Sequence, residues 1–113
     1  MEINDAVAGL SALAQAPRLK VFRLLIAAGP EGLPAGEIAR RTGVPDNTLS
    51  AQLAVLTGAG LAVSRRDGRR IIYSADHATV SRLLAFLMED CCGGRPEICA
   101  PLAGITDRAC CAA

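Results

Sequence analysis

Between residues 34 and 61 a single glycine, Gly43, cuts a helical pattern into two short lengths, and that break limits the possible folds more than any other feature of the chain. Residues 34–42 carry Ile38 and Ala39 on one face, with Arg40 and Arg41 at the C-terminal end, where the helix dipole favours cations. Pro45-Asp46 then restarts a helix in which Leu49, Leu53 and Leu56 fall at i, i+4 and i+7, so one face is apolar and can be buried. Two short helices joined by a tight glycine turn make a helix-turn-helix, whose second member reads a DNA groove. Asn47, Thr48, Ser50, Ala51 and Gln52 are expected to project away from the apolar face, and none is charged. Small hydrogen-bonding side chains suit the floor of a major groove, where base edges offer donors, acceptors and thymine methyls. The plainer alternative is a surface helix of a small bundle.

The residues that follow favour the first of these. After Gly58 and Gly60 the apolar period changes from helix to strand, and residues 61–66 and 69–74 flank Asp67-Gly68, a two-residue hairpin signal. Arg65, Arg66, Arg69 and Arg70 crowd its tip beside one carboxylate. Guanidiniums so placed repel one another unless an anion is near, which points to phosphate rather than to a solvated turn. Net charge over the whole chain is only +1, but residues 36–74 hold six arginines against Glu37, Asp46 and Asp67. A basic middle between neutral to acidic ends is a modest footprint for nucleic acid.

On either side of this middle lie strongly apolar helices. Residues 3–14 place Val7, Leu10, Leu13 and Ala14 on one stripe, and the last helix, from Asp76 or His77 to about residue 90, carries Val80, Leu83, Leu84, Leu87 and Met88. Both are more apolar than a small monomer needs, so together they are the expected interface of a homodimer. A further helix starts at Pro17, whose missing N–H is not needed in a first turn, and turns Leu19, Phe22, Leu25 and Ile26 inward. At 113 residues, without Trp and with three other aromatics, the chain must build its core from Leu and Ala in one domain. No apolar run approaches the roughly 20 residues of a membrane span, and the acidic start is unlike a signal peptide, so a cytoplasmic protein with no membrane partner is expected. All five cysteines, Cys91, Cys92, Cys99, Cys110 and Cys111, lie in the last quarter. That clustering speaks for metal binding or redox sensing rather than a disulfide framework.

The chain resembles the ArsR/SmtB family of winged helix-turn-helix repressors over residues 3–99. The resemblance is carried by Ala16-Pro17-Arg18-Leu19-Lys20-Val21, by Asn47-Thr48-Leu49-Ser50 with Leu53 and Leu56, by Ala59-Gly60-Leu61, and by residues 69–73. Where the family usually shows Ser-x-His-Leu, this chain has Ser50-Ala51-Gln52-Leu53. The resemblance implies a mainly α fold with a small β-hairpin wing, dimerising through its first and last helices. It also implies binding to double-stranded operator DNA and departure from it when an inducer binds. Residues 1–90 would form the DNA-binding and dimerisation domain, and residues 91–113 a cysteine-rich inducer-binding tail. Two of the family's metal sites have no counterpart here, because residues 37–41 contain no cysteine and His77 is the only histidine. The segment from Leu87 to Cys99 resembles the C-terminal arsenite site of one subgroup, in which Cys91, Cys92 and Cys99 would give three sulfurs to As(III), with Sb(III) as a chemically similar ion.

The chemistry of the tail agrees with that resemblance without requiring it. Thiolates select soft ions. Adjacent residues on a continuing helix point about a quarter-turn or more apart, but Gly93-Gly94 and Pro96 let the chain turn so that Cys99 folds back. Three sulfurs with no nearby histidine favour a three-coordinate centre, while Cys110 or Cys111 as a fourth would admit zinc. Cys91 and Cys92 follow Glu89 and Asp90 at a helix C-terminus, where carboxylates and dipole disfavour a free thiolate, so catalysis is not expected and no residue is assigned to it. No organic cofactor is expected either. An arsenite-responsive repressor is the leading expectation. A repressor of the same fold answering to thiol oxidation, persulfide or another metal is the alternative. A small thiol enzyme or arsenic carrier would leave the helix-turn-helix and the arginines unexplained.

Overall fold

A computed structural model describes residues 1–88. The elements in order are α1 (Ile3–Leu13), α2 (Ala16–Ala28), β1 (Leu33–Pro34), α3 (Ala35–Thr42), α4 (Asp46–Gly58), β2 (Ala62–Asp67), β3 (Arg70–Ala75) and α5 (His77–Met88). The chain divides into two compact units, Met1–Leu83 and Leu84–Ala113, the second beginning inside α5. Cys91, Cys92, Cys99, Cys110 and Cys111 lie outside the described residues, as do the last two residues of the expected final helix.

Five helices and a small antiparallel sheet give the winged helix-turn-helix expected from the sequence, with one strand more than the hairpin alone. The strand order is β1-β3-β2, and β1 is the two-residue edge pairing Leu33 with Tyr73 and Pro34 with Ile72. So short a strand leaves almost no alternation to read, and proline at a sheet edge disguises it further. Gly32, at φ +71°, lies so close to β3 that an added Cβ would run into the Tyr73 carbonyl oxygen. Only glycine brings β1 within pairing distance there.

The hairpin turn is displaced by one residue from its expected place. Asp67 pairs with Arg70, so the loop is Gly68-Arg69 rather than Asp67-Gly68. Gly68 supplies the positive φ, +64°, at the first loop position, which leaves Asp67 free to extend the strand. Arg69 consequently stands at the tip itself.

The core of the first unit is assembled from α2, α3, α4 and the start of the wing. Val21, Leu25, Ile38, Leu49, Leu53, Leu56 and Leu61 are at most 1% exposed, each side chain contributing about 1.5–3 kcal/mol by its removal from water. Within α2 the inner face is Val21, Phe22 and Leu25, whereas Leu19 is exposed, so the expected face was rotated by part of a turn. Pro17 sits in the first turn as expected, and the adjacent Arg18 closes the preceding helix. Its Nε donates to the Ala12 carbonyl at 2.7 Å, and its Nη2 to that of Ser11 at 3.5 Å.

In α1 the apolar stripe expected at a dimer interface is left outside the fold, and smaller residues take the inward face. Ala6, Gly9 and Ala12 face the body, while Ile3, Val7 and Leu10 are 67, 54 and 44% exposed. Small residues win the inward face because the helix lies close: a Cβ on Gly9 would come within 3.4 Å of the Leu83 side chain and 3.8 Å of Leu61. In α5, which Asp76 caps by accepting from the Thr79 N–H at 3.2 Å, Leu83 is buried. Leu84, Leu87 and Met88 are exposed. Among the described residues no helix is long and apolar enough to cross a membrane.

Candidate nucleic-acid interface

The turn between α3 and α4 is made by Gly43, whose φ of +74° is the left-handed C-cap that ends α3. Its N–H donates to the Ala39 carbonyl at 2.9 Å, satisfying one of the carbonyls left open at that end, and the Thr42 hydroxyl donates to the Ile38 carbonyl at 2.7 Å. Pro45 then directs the chain into α4, where the Leu49 N–H closes the first turn on the Pro45 carbonyl at 2.8 Å.

With Leu49, Leu53 and Leu56 inward, Asn47, Thr48, Ser50 and Ala51 stand exposed on α4. Gln52 does not. It is 7% exposed, on the same face as the leucines, and its Oε1 is buried without a hydrogen-bond partner. The expectation that Gln52 projects toward a base is therefore corrected: three residues after Leu49 and one before Leu53, it falls within the i, i+3, i+4 stripe and is carried inward with it.

The four wing arginines are all exposed but differ in what holds them. Arg65 reaches back to the loop after α2, with Nη2 donating to the Glu31 carbonyl at 2.7 Å and Nη1 to that of Pro30 at 3.3 Å. It thus ties the outer half of the wing to that loop. Arg70 lies 3.6 Å from the Asp67 carboxylate across the turn. Arg66 and Arg69 make no ion pair or hydrogen bond among the described residues.

A second basic group, which the sequence placed only as dipole partners, lies on α3. Arg40 donates to both oxygens of Glu37, and Arg41 Nε donates to Glu37 Oε1 at 2.7 Å. The i+3 and i+4 spacing makes this triad possible. Hydrogen bonds from Arg40 and then Arg41 hold the Glu37 carboxyl down at about 2, and Arg40 is raised in return. The one acidic side chain on α3 is thereby neutralised twice over. Between the first turn of α3, the flank of α4 and strand β3 runs an open groove of about 570 Å³, lined among others by Gly36, Glu37, Ser50, Arg69, Arg70 and Tyr73.

A recognition helix with an uncharged polar outer face, set beside an arginine-tipped wing, defines a winged helix-turn-helix protein of the DNA-binding class. Known proteins place it further. The family described as "Helix-turn-helix domain" matches residues 13–65. The HTH-type transcriptional regulator YgaV of Escherichia coli K12 is 36% identical over 89 residues, which make up 79% of this chain and 88% of that protein. The homodimeric winged helix-turn-helix domain of Mb0332 from Mycobacterium bovis, a possible ArsR-family transcriptional regulator solved by NMR, is 34% identical with a TM-score of 0.64. The match covers 76% of this chain and 77% of that one. A crystal structure of a possible transcriptional regulator for arsenical resistance is 28% identical with a TM-score of 0.61, covering 70% of this chain and 79% of that one. The chain belongs to the ArsR-like family of winged helix-turn-helix transcriptional regulators.

Proposed function

We propose that the protein is an arsenite-responsive repressor that binds its operator as a homodimer and leaves it when As(III) is held by Cys91, Cys92 and Cys99. The observation that carries the DNA half is the exposed, uncharged face of α4, formed by Asn47, Thr48, Ser50 and Ala51, beside the arginines of the wing. These four side chains address base edges. Arg66, Arg69 and Arg70 address phosphates, and Arg65 supports them by tying the wing to the loop after α2. Gln52, buried with the leucines, is not part of this reading face. The exposed Ile3, Val7 and Leu10 of α1, and separately Leu84, Leu87 and Met88 of α5, supply the apolar surfaces on which a second copy packs. The homodimeric state of the Mb0332 domain supports that assembly.

The inducer half rests on the donor set. Three thiolates within nine residues, with no cysteine elsewhere in the DNA-binding part, fit a soft three-coordinate ion, and the arsenical-resistance relative supports the choice of arsenic. Bound there, the ion would deprotonate and cross-link the three sulfurs. The sequence order supplies a path to the DNA: β3 ends at Ala75, Asp76 caps α5, and α5 reaches Met88, three residues before Cys91 in the sequence. Restraint at the end of α5 then alters the helices that set the spacing of the two α4 copies. Linkage requires operator DNA to weaken arsenite binding by the same factor, about 1–3 kcal/mol.

The test is fluorescence anisotropy of labelled promoter DNA under reducing conditions, titrated with arsenite, for the native chain and for Cys91→Ser, Cys92→Ser and Cys99→Ser. Release from the native protein and retention by all three variants is the expected result. Release that follows an oxidant or persulfide instead of arsenite would transfer the sensor to thiol redox chemistry, with the repressor intact.

A further inference from the structure

We propose that the groove between α3, α4 and β3 holds one phosphodiester of the operator backbone, and that Gly36 is glycine so that the strand can lie against α3. Its basis is the operator-binding function proposed above, to which it adds a defined phosphate site. With α4 in the major groove and the wing reaching toward the adjacent minor groove, the strand that separates the two grooves must pass between α4 and the wing, and the groove of about 570 Å³ lies between them. Its lining has the chemistry of a phosphate cradle. Arg69 has no ion pair or hydrogen bond among the described residues, Arg70 shares the same wall, and the Ser50 and Tyr73 hydroxyls are available as donors. The carboxylate that would oppose an anion, Glu37, is occupied by Arg40 and Arg41.

Gly36 is the independent observation. It is the second residue of α3, its φ is not among the positive ones, and a Cβ added to it would meet nothing within 4 Å. Neither the backbone conformation nor the internal packing calls for glycine at this position, and glycine weakens a helix relative to alanine. It also lines the groove. A bare backbone facing open space at a cost to the helix is accounted for by something from outside that approaches it closely. The first turn of α3, whose residues Ala35, Gly36 and Glu37 line the groove, has no side-chain cap, so its N–H groups are not occupied by one.

Two variants and one chemical probe test this on the full chain. Gly36→Ala is expected to keep or raise the thermal midpoint while weakening binding to promoter DNA about tenfold, a pairing that a merely structural role for Gly36 does not produce. Replacing single phosphates of the promoter duplex by uncharged methylphosphonates should reveal one position per half-site where the native protein loses affinity and Arg69→Gln loses little more. Gly36→Ala binding as tightly as the native chain, or methylphosphonate penalties identical for native protein and Arg69→Gln at every position, would overturn the phosphate site while leaving operator binding standing. Failure of the native chain to bind its promoter at all would remove both.

Discussion

Helices α1 and α4 are built to opposite plans. Helix α4 buries its large residues, Leu49, Leu53 and Leu56, and leaves outside, after Asp46 at its start, only small uncharged side chains along its first two turns. Helix α1 buries Ala6, Gly9 and Ala12 and leaves outside Ile3, Val7 and Leu10. The first is satisfied within one chain, and its free face offers hydrogen bonds and methyl-sized contacts, the vocabulary of a DNA groove. The second has spent only its small residues on its own fold. Its larger residues remain in water, where a contiguous apolar surface marks a protein partner. The same lesson extends to the wing, where Arg65 is bound to the Pro30 and Glu31 carbonyls while Arg69 at the tip has no partner among the described residues. Residues of one type are divided between holding the fold and facing outward, and position in the fold decides which.

The sharpest contrast should come from one substitution in each helix. Leu53→Ala in α4 is expected to lower the unfolding free energy by about 2–5 kcal/mol in urea titrations, because the site is closed on all sides. Val7→Glu in α1 should leave the fold intact and raise the dimer dissociation constant by about 100-fold, near 2.7 kcal/mol, measured by sedimentation equilibrium. If Val7→Glu destabilised the monomer as much as Leu53→Ala does, the two plans would not differ. Smaller and opposite in sign is Gln52→Met, which removes an amide whose Oε1 is buried without a hydrogen-bond partner. A gain of about 1–2 kcal/mol in the urea midpoint analysis is expected, and a loss would mean that the amide has a partner the chain alone does not supply.

The smallest effect concerns Glu37, whose carboxyl is lowered from 4.5 to about 2 by Arg40 and Arg41. A carboxyl lowered on folding contributes stability that is fully present above its unfolded value and is lost as pH falls through the folded one. The thermal midpoint of the native protein should therefore exceed that of Glu37→Gln at neutral pH, and the gap should close as the pH falls below about 4.5 toward about 2. Exposure and salt keep the gap small. A gap that stays constant through that window would detach Glu37 from its arginines.

Much of this was legible in the sequence, and the exceptions have causes. The break at Gly43 and the leucine spacing of α4 fixed the helix-turn-helix, since a left-handed glycine and an i, i+4, i+7 stripe leave little freedom. Gln52 was misplaced because its type suggested the surface while its position belonged to the buried stripe. The α1 stripe was legible as surplus apolar surface, but the small inward face of Ala6, Gly9 and Ala12 was not, because hydrophobicity alone does not mark residues chosen for close approach. Strand β1 went unseen because two residues carry no period, although Gly32 had the composition of a close approach. The role of Arg65 depended on carbonyls more than thirty residues away, which no local pattern encodes. Tyr73 and Gly36 gained meaning only when folding brought α3, α4 and β3 around one groove.

One measurement bears most directly on the claim that the outer face of α4 enters DNA. Anisotropy of labelled promoter DNA should be compared for the native chain and Ala51→Glu, with sedimentation confirming that both have the same oligomeric state. Ala51 is exposed, so the fold should accept the change, while a carboxylate brought against base edges and phosphates should weaken binding by about 10- to 100-fold, or 1.4–2.7 kcal/mol. Equal affinity of the two proteins for the same DNA would contradict the assignment of α4 as the recognition helix.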